Sequence, residues 1–334
     1  MNRTKNQILA AAWILVAITH CHPARAVVLH SGNGNTDANS FLNADGTVPA
    51  DRSVPFFANV GSSPSGGASV TYLGAGWILT ANHVSFSDLN KTVSLGGSSY
   101  TVETDSNGHI VPHVLTNSDH STADLKLFHL TTSPGLPSLI SLIDNASPSA
   151  GSRLIMIGNG LSSTSAQTYW DDSTVPWLTE AAPIPPTVDD HSGYFVGSSQ
   201  VMRWGDNKVL NNDVLDPATG TSTFTTNFDD AAYTHSTPLA SEAQATSGDS
   251  GGAVFSLIGS QWELSGLMIN TFQPGSQPGS TAMFGNLTYM ADLSAYRTEI
   301  LAIVPEPSGA ALAWTAAATL AVLWRRRKGR IPPR

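Results

Sequence analysis

Gly248-Asp249-Ser250-Gly251-Gly252 is the most informative stretch of this sequence. Glycines on both sides of a serine let the backbone turn sharply, and Gly248 permits dihedral angles that aim its own N–H and that of Ser250 at one point. Two such N–H groups would stabilise the oxyanion that forms when Ser250 attacks a carbonyl group. The alternative is a glycine-rich hairpin loop without chemistry, because Gly, Asp and Ser are common turn residues.

A serine hydroxyl becomes nucleophilic at neutral pH only beside a base that takes its proton. Thr80-Ala81-Asn82-His83 offers an imidazole, and the apolar run at 76–79 leads directly into it. This pattern places His83 where a core strand reaches the surface. Alone, it would be an ordinary histidine at a strand end, but beside a nucleophile it predicts a general base.

The base in turn needs a carboxylate that fixes its tautomer and stabilises the imidazolium. Asp124 leads the hydrophobic strand 123–127, where partial burial is expected. Asp88, Asp105 and Asp119 are rivals, but they lie in polar, turn-like stretches typical of solvated surface residues. We therefore predict Asp124 as the partner of His83.

The order His, Asp, Ser in these local contexts resembles the chymotrypsin-like serine proteases. Gly248 to Gly252 matches the nucleophile loop of that family at every position. Thr80-Ala81-Asn82-His83-Val84 is similar to the family's T-A-A-H-C, with Asn for the second Ala and Val for the Cys. Asp124-Leu125-Lys126-Leu127 is similar to D-I-A-L, with Lys126 in place of a usual small residue. The likeness spans about residues 54 to 304.

The resemblance implies an all-β protein of two packed six-stranded β-barrels, at about 54–135 and 150–290, closed by a C-terminal helix. It implies a serine-type endopeptidase that cuts protein or peptide substrates through an acyl-enzyme on Ser250, without a cofactor. The implied catalytic triad is His83, Asp124 and Ser250, and the implied oxyanion hole consists of the backbone N–H groups of Gly248 and Ser250.

The resemblance also indicates a specificity pocket. Its base would be Gln244, six residues before the nucleophile, and one wall would run along Ile269, Asn270 and Thr271. A neutral glutamine does not favour Arg or Lys, but Glu242 lies close by in sequence. The substrate preference therefore stays open.

Members of this family often become active when a new N-terminus inserts against the aspartate beside the nucleophile, here Asp249. Val27-Val28-Leu29-His30 lies well before the first predicted strand. The sequence therefore leaves open whether a zymogen exists.

Hydrophobic patterning predicts many short strands and one helix, at 290–304. The turn-rich residues 27–50 predict a surface arm, assigned to 27–53, and the Ser, Thr and Pro-rich residues 159–191 predict long surface loops. The predicted strands are 55–60, 69–73, 76–80, 92–95, 99–103, 125–130, 192–204, 253–257, 262–270 and 281–285.

Both ends of the chain have the pattern of targeting signals. Residues 1–26 combine basic residues, a short apolar run and an A-x-A site, which predicts a secretory signal cleaved by signal peptidase after Ala26. A membrane anchor, or a lipoprotein modified at Cys21, is the alternative.

Residues 305–330 resemble the PEP-CTERM sorting signal of Gram-negative bacteria, with Pro305-Glu306-Pro307 followed by an apolar run and a basic cluster. This implies processing by an exosortase, transient membrane association through the tail, and delivery to the cell surface or extracellular matrix. A permanent single-span anchor is the alternative.

Composition argues against several other functions. The net charge of −9 repels phosphate backbones, so nucleic acid binding is not expected, and no phosphate-binding loop motif occurs. Cys21, the one cysteine, lies in the predicted signal, so no disulfide is expected in the mature chain. Pro112 between His109 and His113 argues against a metal-binding pair, whereas structural calcium stays open.

Two rival functions remain at this stage. A binding or adhesion module could retain the fold without cutting its ligand. An esterase or lipase would also fit the G-x-S-x-G pattern around Ser250, but those enzymes place serine before histidine in the chain, and here no histidine follows Ser250.

Overall fold

The computed structural model describes residues 27–30, 56–64, 66–163, 166–182, 186–187 and 190–304. The predicted secretory signal, the sorting tail and most of the predicted arm lie outside these residues. Within them, no helix is both long and apolar enough to cross a bilayer.

The first half of the chain supplies short strands separated by tight turns. Between the strands at Thr92–Leu95 and Ser98–Thr101, Gly96 and Gly97 both have positive φ, which suits the two-residue turn of a hairpin. The strands are β1 (Val28–Leu29), β2 (Val60–Ser62), β3 (Ser69–Gly74), β4 (Trp77–Thr80), β5 (Thr92–Leu95), β6 (Ser98–Thr101), β7 (His113–Thr116) and β8 (Thr122–His129).

Strands β2 to β8 form one antiparallel sheet in the order β6-β5-β2-β3-β4-β8-β7. The sheet curls until Val102, just after β6, pairs with Leu130, just after β8. Tyr72, Ile78 and Phe128 fill its interior. This first barrel is therefore a ring of six strands, as the resemblance implies, and β7 pairs with β8 as an additional strand outside the ring.

The second half of the chain supplies longer strands and the helix. Asp292 caps α1 (Leu293–Ile303) by accepting a hydrogen bond from the N–H of Ser294. The strands are β9 (Arg153–Gly158), β10 (Leu161–Ser163), β11 (Thr168–Asp171), β12 (Leu178–Glu180), β13 (Asp190–Gln200), β14 (Arg203–Leu215), β15 (Ser222–Asn227), β16 (Ala243–Gln244), β17 (Ala253–Ile258), β18 (Gln261–Phe272), β19 (Thr281–Met283) and β20 (Leu287–Asp292).

Six of these strands close into a second barrel, in the order β14-β15-β20-β18-β17-β9. A shared core joins it to the first barrel, with Leu79 and Leu125 from one and Phe255 from the other, and Leu293 and Ile300 of α1 pack into the same core. The prediction of an all-β chymotrypsin-like fold with a C-terminal helix is confirmed.

The prediction of surface loops at 159–191 is wrong. Strands β10, β11 and β12 form here and pair, directly or through one another, with β13, whose other partner is β19. Trp170 and Trp177 are buried and pack with Met283 of β19. Ser and Thr suit exposed strands as well as loops, and the partner β19 comes from far along the chain, so the local composition was not decisive.

The prediction of a surface arm is also wrong for its first residues. Val27, Val28 and Leu29 are buried, and β1 pairs with β16, with Val28 opposite Gln244. The partner strand lies more than two hundred residues away in the chain. Periodicity within so short a segment carries no information about it.

Candidate active site

The three side chains singled out by sequence meet between the two barrels. Asp124 lies in β8, His83 in the turn after β4, and Ser250 in the loop between β16 and β17. Nδ1 of His83 lies 2.7 Å from Oδ2 of Asp124, and its Nε2 lies 2.8 Å from Oγ of Ser250. The backbone N–H of His83 donates to Oδ1 of Asp124 at 2.9 Å. The carboxylate therefore holds both the ring and the backbone of the histidine.

Burial differs sharply along this chain of hydrogen bonds. The side chain of Asp124 is 7% exposed, whereas that of His83 is 50% exposed. The backbone N–H of Asp124 donates to the hydroxyl of Thr221 at 2.8 Å, so a residue of the second barrel also fixes this position. A shielded acceptor behind a solvent-facing imidazole suits proton transfer from Ser250 to a bound substrate.

Strand β3 donates hydrogen bonds to the carbonyl oxygens of the nucleophile loop. The hydroxyl of Ser69 donates to the carbonyl of Gly248 at 2.9 Å, and the hydroxyl of Thr71 donates to that of Gly251 at 2.9 Å. The backbone N–H of Ser69 donates to the carbonyl of Ser250 at 2.9 Å. Sequence reasoning missed these two residues. The feature that could have indicated Ser69 and Thr71 is the presence of two hydroxyl side chains in a strand that is buried throughout.

The loop keeps two N–H groups available. Gly248 has φ of 97°, and a Cβ there would lie 2.2 Å from Nε2 of Gln200, so only glycine fits. Among the described residues, the N–H groups of Gly248 and Ser250 have no hydrogen-bond acceptor. This arrangement leaves both groups free to bind an oxyanion beside the Ser250 hydroxyl.

A cavity of about 380 Å³ opens beside Ser250. Ile269, Asn270 and Thr271 line it, as the sequence predicts for a pocket wall. Gln244 is not among the lining residues, because its side chain is buried where β16 pairs with β1; Ala245 lines the cavity instead. Side chains of neighbouring residues in an extended chain point to opposite sides. An alignment error of one residue therefore exchanges the side chain that faces the cavity for the one that is buried.

Asp216 also lines this cavity, and the sequence did not indicate it. Its Oδ1 accepts a hydrogen bond from Nδ2 of Asn270 at 2.7 Å. Its Oδ2 accepts from the backbone N–H and hydroxyl of Thr219, at 2.9 and 2.7 Å. The carboxylate therefore fixes Asn270 on the cavity wall.

Asp249 points away from the cavity and is fully buried. Burial raises the pKa of its carboxyl group to about 6, although hydrogen bonds from the backbone of Thr246, Gly160 and Val27 act in the opposite direction. The backbone N–H of Val27 thus donates a hydrogen bond to the carboxylate of Asp249, the residue before the nucleophile.

The rejected candidates lie on the surface. Asp88, Asp105 and Asp119 are exposed, and hydrogen bonds to nearby loop groups lower the pKa of each. His109 pairs with Asp88 at 2.7 Å, whereas His113 packs edge-on against Trp77. Across the described residues, no cluster of three acidic, histidine or cysteine side chains could hold a metal ion.

Two packed antiparallel barrels with His, Asp and Ser meeting between them define a protein of the chymotrypsin-like fold. Residues 44–191 match the model of the family described as Trypsin. This match is under half of the chain, includes His83 and Asp124, and ends before Ser250.

Two solved structures are similar to this chain at low sequence identity. A mutant of human heparin binding protein (CAP37) has 14% identity and a TM-score of 0.45, covering 75% of this chain and 94% of that chain. Neuropsin, a serine protease expressed in the limbic system of mouse brain, has 16% identity and a TM-score of 0.43, covering 74% and 95%. No curated protein matches the chain.

Proposed function

We propose that this protein is a serine endopeptidase that hydrolyses peptide bonds through an acyl-enzyme on Ser250. The observation that carries the proposal is the continuous hydrogen-bonded chain from Asp124 through His83 to Ser250. The backbone N–H groups of Gly248 and of Ser250 itself have no acceptor among the described residues. The Trypsin family match supports protein or peptide substrates.

In this mechanism the Oγ of Ser250 attacks the scissile carbonyl carbon while Nε2 of His83 takes the hydroxyl proton. The N–H groups of Gly248 and Ser250 bind the oxyanion. His83 then gives its proton to the leaving amine, and water releases the acyl group by the reverse sequence. Asp124 accepts the hydrogen bond from Nδ1 and keeps the imidazole in the tautomer that presents Nε2 to the hydroxyl.

The decisive test replaces the nucleophile. Ser250→Ala should abolish labelling by a fluorophosphonate probe and lower peptide hydrolysis on the order of 10⁵ to 10⁶-fold, because Ser250 forms the covalent bond. Ser256→Ala, which removes another serine hydroxyl of the same barrel, is the control and should label normally. Correctly folded wild-type protein that neither labels nor cuts would contradict the proposal and favour the binding or adhesion module.

We also propose that export supplies the active N-terminus. Cleavage after Ala26 would turn the N–H of Val27 into an ammonium group. This group would then pair with the buried carboxylate of Asp249, which the N–H of Val27 contacts in the uncleaved chain. The pairing of β1 with β16 supports this placement. No separate protease would then be needed for activation. Export and sorting to the cell surface are tested by sequencing both ends of the protein recovered from outside the cell.

A further inference from the structure

Lys126 lies in the middle of β8, two residues after Asp124 and opposite Thr80 of β4. It is a cation in a strand whose other central residues are buried and mostly apolar, and it is itself only 9% exposed. Burial lowers the pKa of its ammonium group, while the nearby Asp124 acts in the opposite direction. An apolar side chain would avoid this desolvation.

The ammonium group of Lys126 bridges the segment that carries His83. Its Nζ donates to the carbonyl oxygen of Asn82 at 2.7 Å and to that of Val84 at 2.7 Å. These two carbonyls belong to the residues on either side of His83. The ring centroids of Phe86 and Phe128 lie 5.7 and 5.6 Å from Nζ, a distance at which a cation is attracted to an aromatic face.

Asp124 and Lys126 lie on the same face of β8, because side chains two residues apart in a strand point the same way. Asp124 binds the backbone N–H and ring of His83, and Lys126 binds the carbonyls before and after it. One strand therefore holds residues 82–84 by four hydrogen bonds. The imidazole of His83 is half exposed, so these hydrogen bonds act on a side chain that is not enclosed by the core.

We propose that Lys126 is a positioning residue for catalysis, which sets the backbone of the His83 segment so that Nε2 faces the Ser250 hydroxyl. The inference rests on the proposed function. Small displacements of a catalytic group have large consequences: a shift of about 1 Å is enough to lower a rate about 100-fold.

The test compares three variants with Lys91→Met, a control at another lysine of the first barrel. Lys126→Met keeps the length of the side chain and loses every donor, so kcat should fall about 10 to 100-fold with KM within about twofold of wild type. Lys126→Arg keeps charge and donors and should recover most of kcat. Lys126→Gln removes the charge and leaves a shorter side chain with one donor group, so it should also lower kcat. It replaces Lys126→Met in the comparison if the methionine variant does not fold.

A second readout does not depend on turnover. The proton between Nδ1 of His83 and Asp124 should give a far-downfield ¹H NMR signal, which Lys126→Met should shift or broaden and Lys126→Arg should restore. A folded Lys126→Met or Lys126→Gln variant with wild-type kcat and an unchanged signal would overturn the proposal. A wild-type protein without activity would instead contradict the proposed function, and the NMR comparison would still decide the role of Lys126.

Discussion

Glu242 shows at the scale of one residue how burial controls ionisation. It is 1% exposed, and its Oε2 accepts a hydrogen bond from the N–H of Leu239 at 2.9 Å. Its Oε1 has no hydrogen-bond partner among the described residues. Burial raises the pKa of this carboxyl group from 4.5 to about 8, although the Leu239 N–H acts in the opposite direction. The folded protein therefore holds this proton at a pH where the unfolded chain has lost it.

The sign of the pH dependence follows from this difference. Between about pH 4.5 and 8 the folded state binds more protons than the unfolded state, so the free energy of unfolding falls as pH rises. Glu242→Gln cannot ionise and should lose this slope: its stability should be near wild type at pH 5 and higher than wild type at pH 9. Urea denaturation at both values measures the effect.

The half-exposed Glu103 offers a matched control. Glu103→Gln should leave the slope contributed by Glu242 in place, since Glu103 is half-exposed and pairs with His129. Equal pH slopes in wild type and Glu242→Gln would show that Glu242 is ionised in the folded protein and would contradict the argument from burial.

Strand β3 shows how an element of one barrel organises the site of the other. Its hydroxyl side chains bind carbonyls of the nucleophile loop, and Thr80 of β4 in turn donates to the carbonyl of Ser69 at 2.8 Å. A Cβ at residue 251 would lie 2.2 Å from the carbonyl oxygen of Ser69. The loop can lie this close to the strand only because residue 251 is glycine.

Thr71→Val tests whether β3 positions the nucleophile loop, because valine keeps the shape of threonine and removes the hydroxyl that binds the carbonyl of Gly251. Leaving a buried carbonyl without its donor should lower the free energy of unfolding by about 1 to 3 kcal/mol. It should also lower kcat, since the loop positions Ser250. Chemical denaturation and kinetics with one peptide substrate measure the two effects.

Thr92→Val in β5 is the control for β-branched packing, since residue 92 is exposed and lies away from the loop. A Thr71→Val protein with unchanged stability and unchanged kcat would show that the loop holds its conformation without β3.

At the level of the whole molecule, the first described residues of the chain bind the second barrel. Beyond the β1–β16 pairing, the N–H of His30 donates to the carbonyl of Glu242 at 2.8 Å, and Nε2 of His30 lies 2.7 Å from Asp230. Val27 reaches Asp249 beside the nucleophile. The docked N-terminal segment therefore contacts the active-site loop through Asp249.

A protein that starts at Val27 should be more stable above pH 6 than one that retains residues 24–26. In the longer form, the pKa of Asp249 is about 6 against 3.8 in the unfolded chain, so stability falls as pH rises through that range. Two pKa units correspond to about 3 kcal/mol. The ammonium group of a free Val27 would offset this loss by pairing with the carboxylate.

Urea denaturation of the two forms at pH 4 and pH 7 measures this difference, and activity on a peptide substrate should follow it. Asp249→Asn should reduce the stability gap between the two forms, because the buried charge is gone. Equal stability and equal activity of both forms at pH 7 would contradict activation by export.

Much of this architecture is readable from neighbouring residues. The apolar run before His83 and the hydrophobic residues after Asp124 identify strands that are observed as β4 and β8, and glycines around Ser250 identify a loop that turns sharply. Spacing and a capping Asp292 identify the final helix. These features depend on local dihedral preferences and on which face of a segment is apolar, and both are encoded within a few residues.

Other features depend on contacts between distant parts of the chain. Three of them involve partners remote in sequence: the burial of Val27 to Leu29, the lining of the cavity by Ala245 in place of the predicted base Gln244, and the bonds from Lys126 to the His83 segment. Nothing local distinguishes a buried serine or lysine that finds a carbonyl from one that does not. Only tertiary packing, within and between the two barrels, settles that, because it brings donor and acceptor within hydrogen-bonding distance while excluding water.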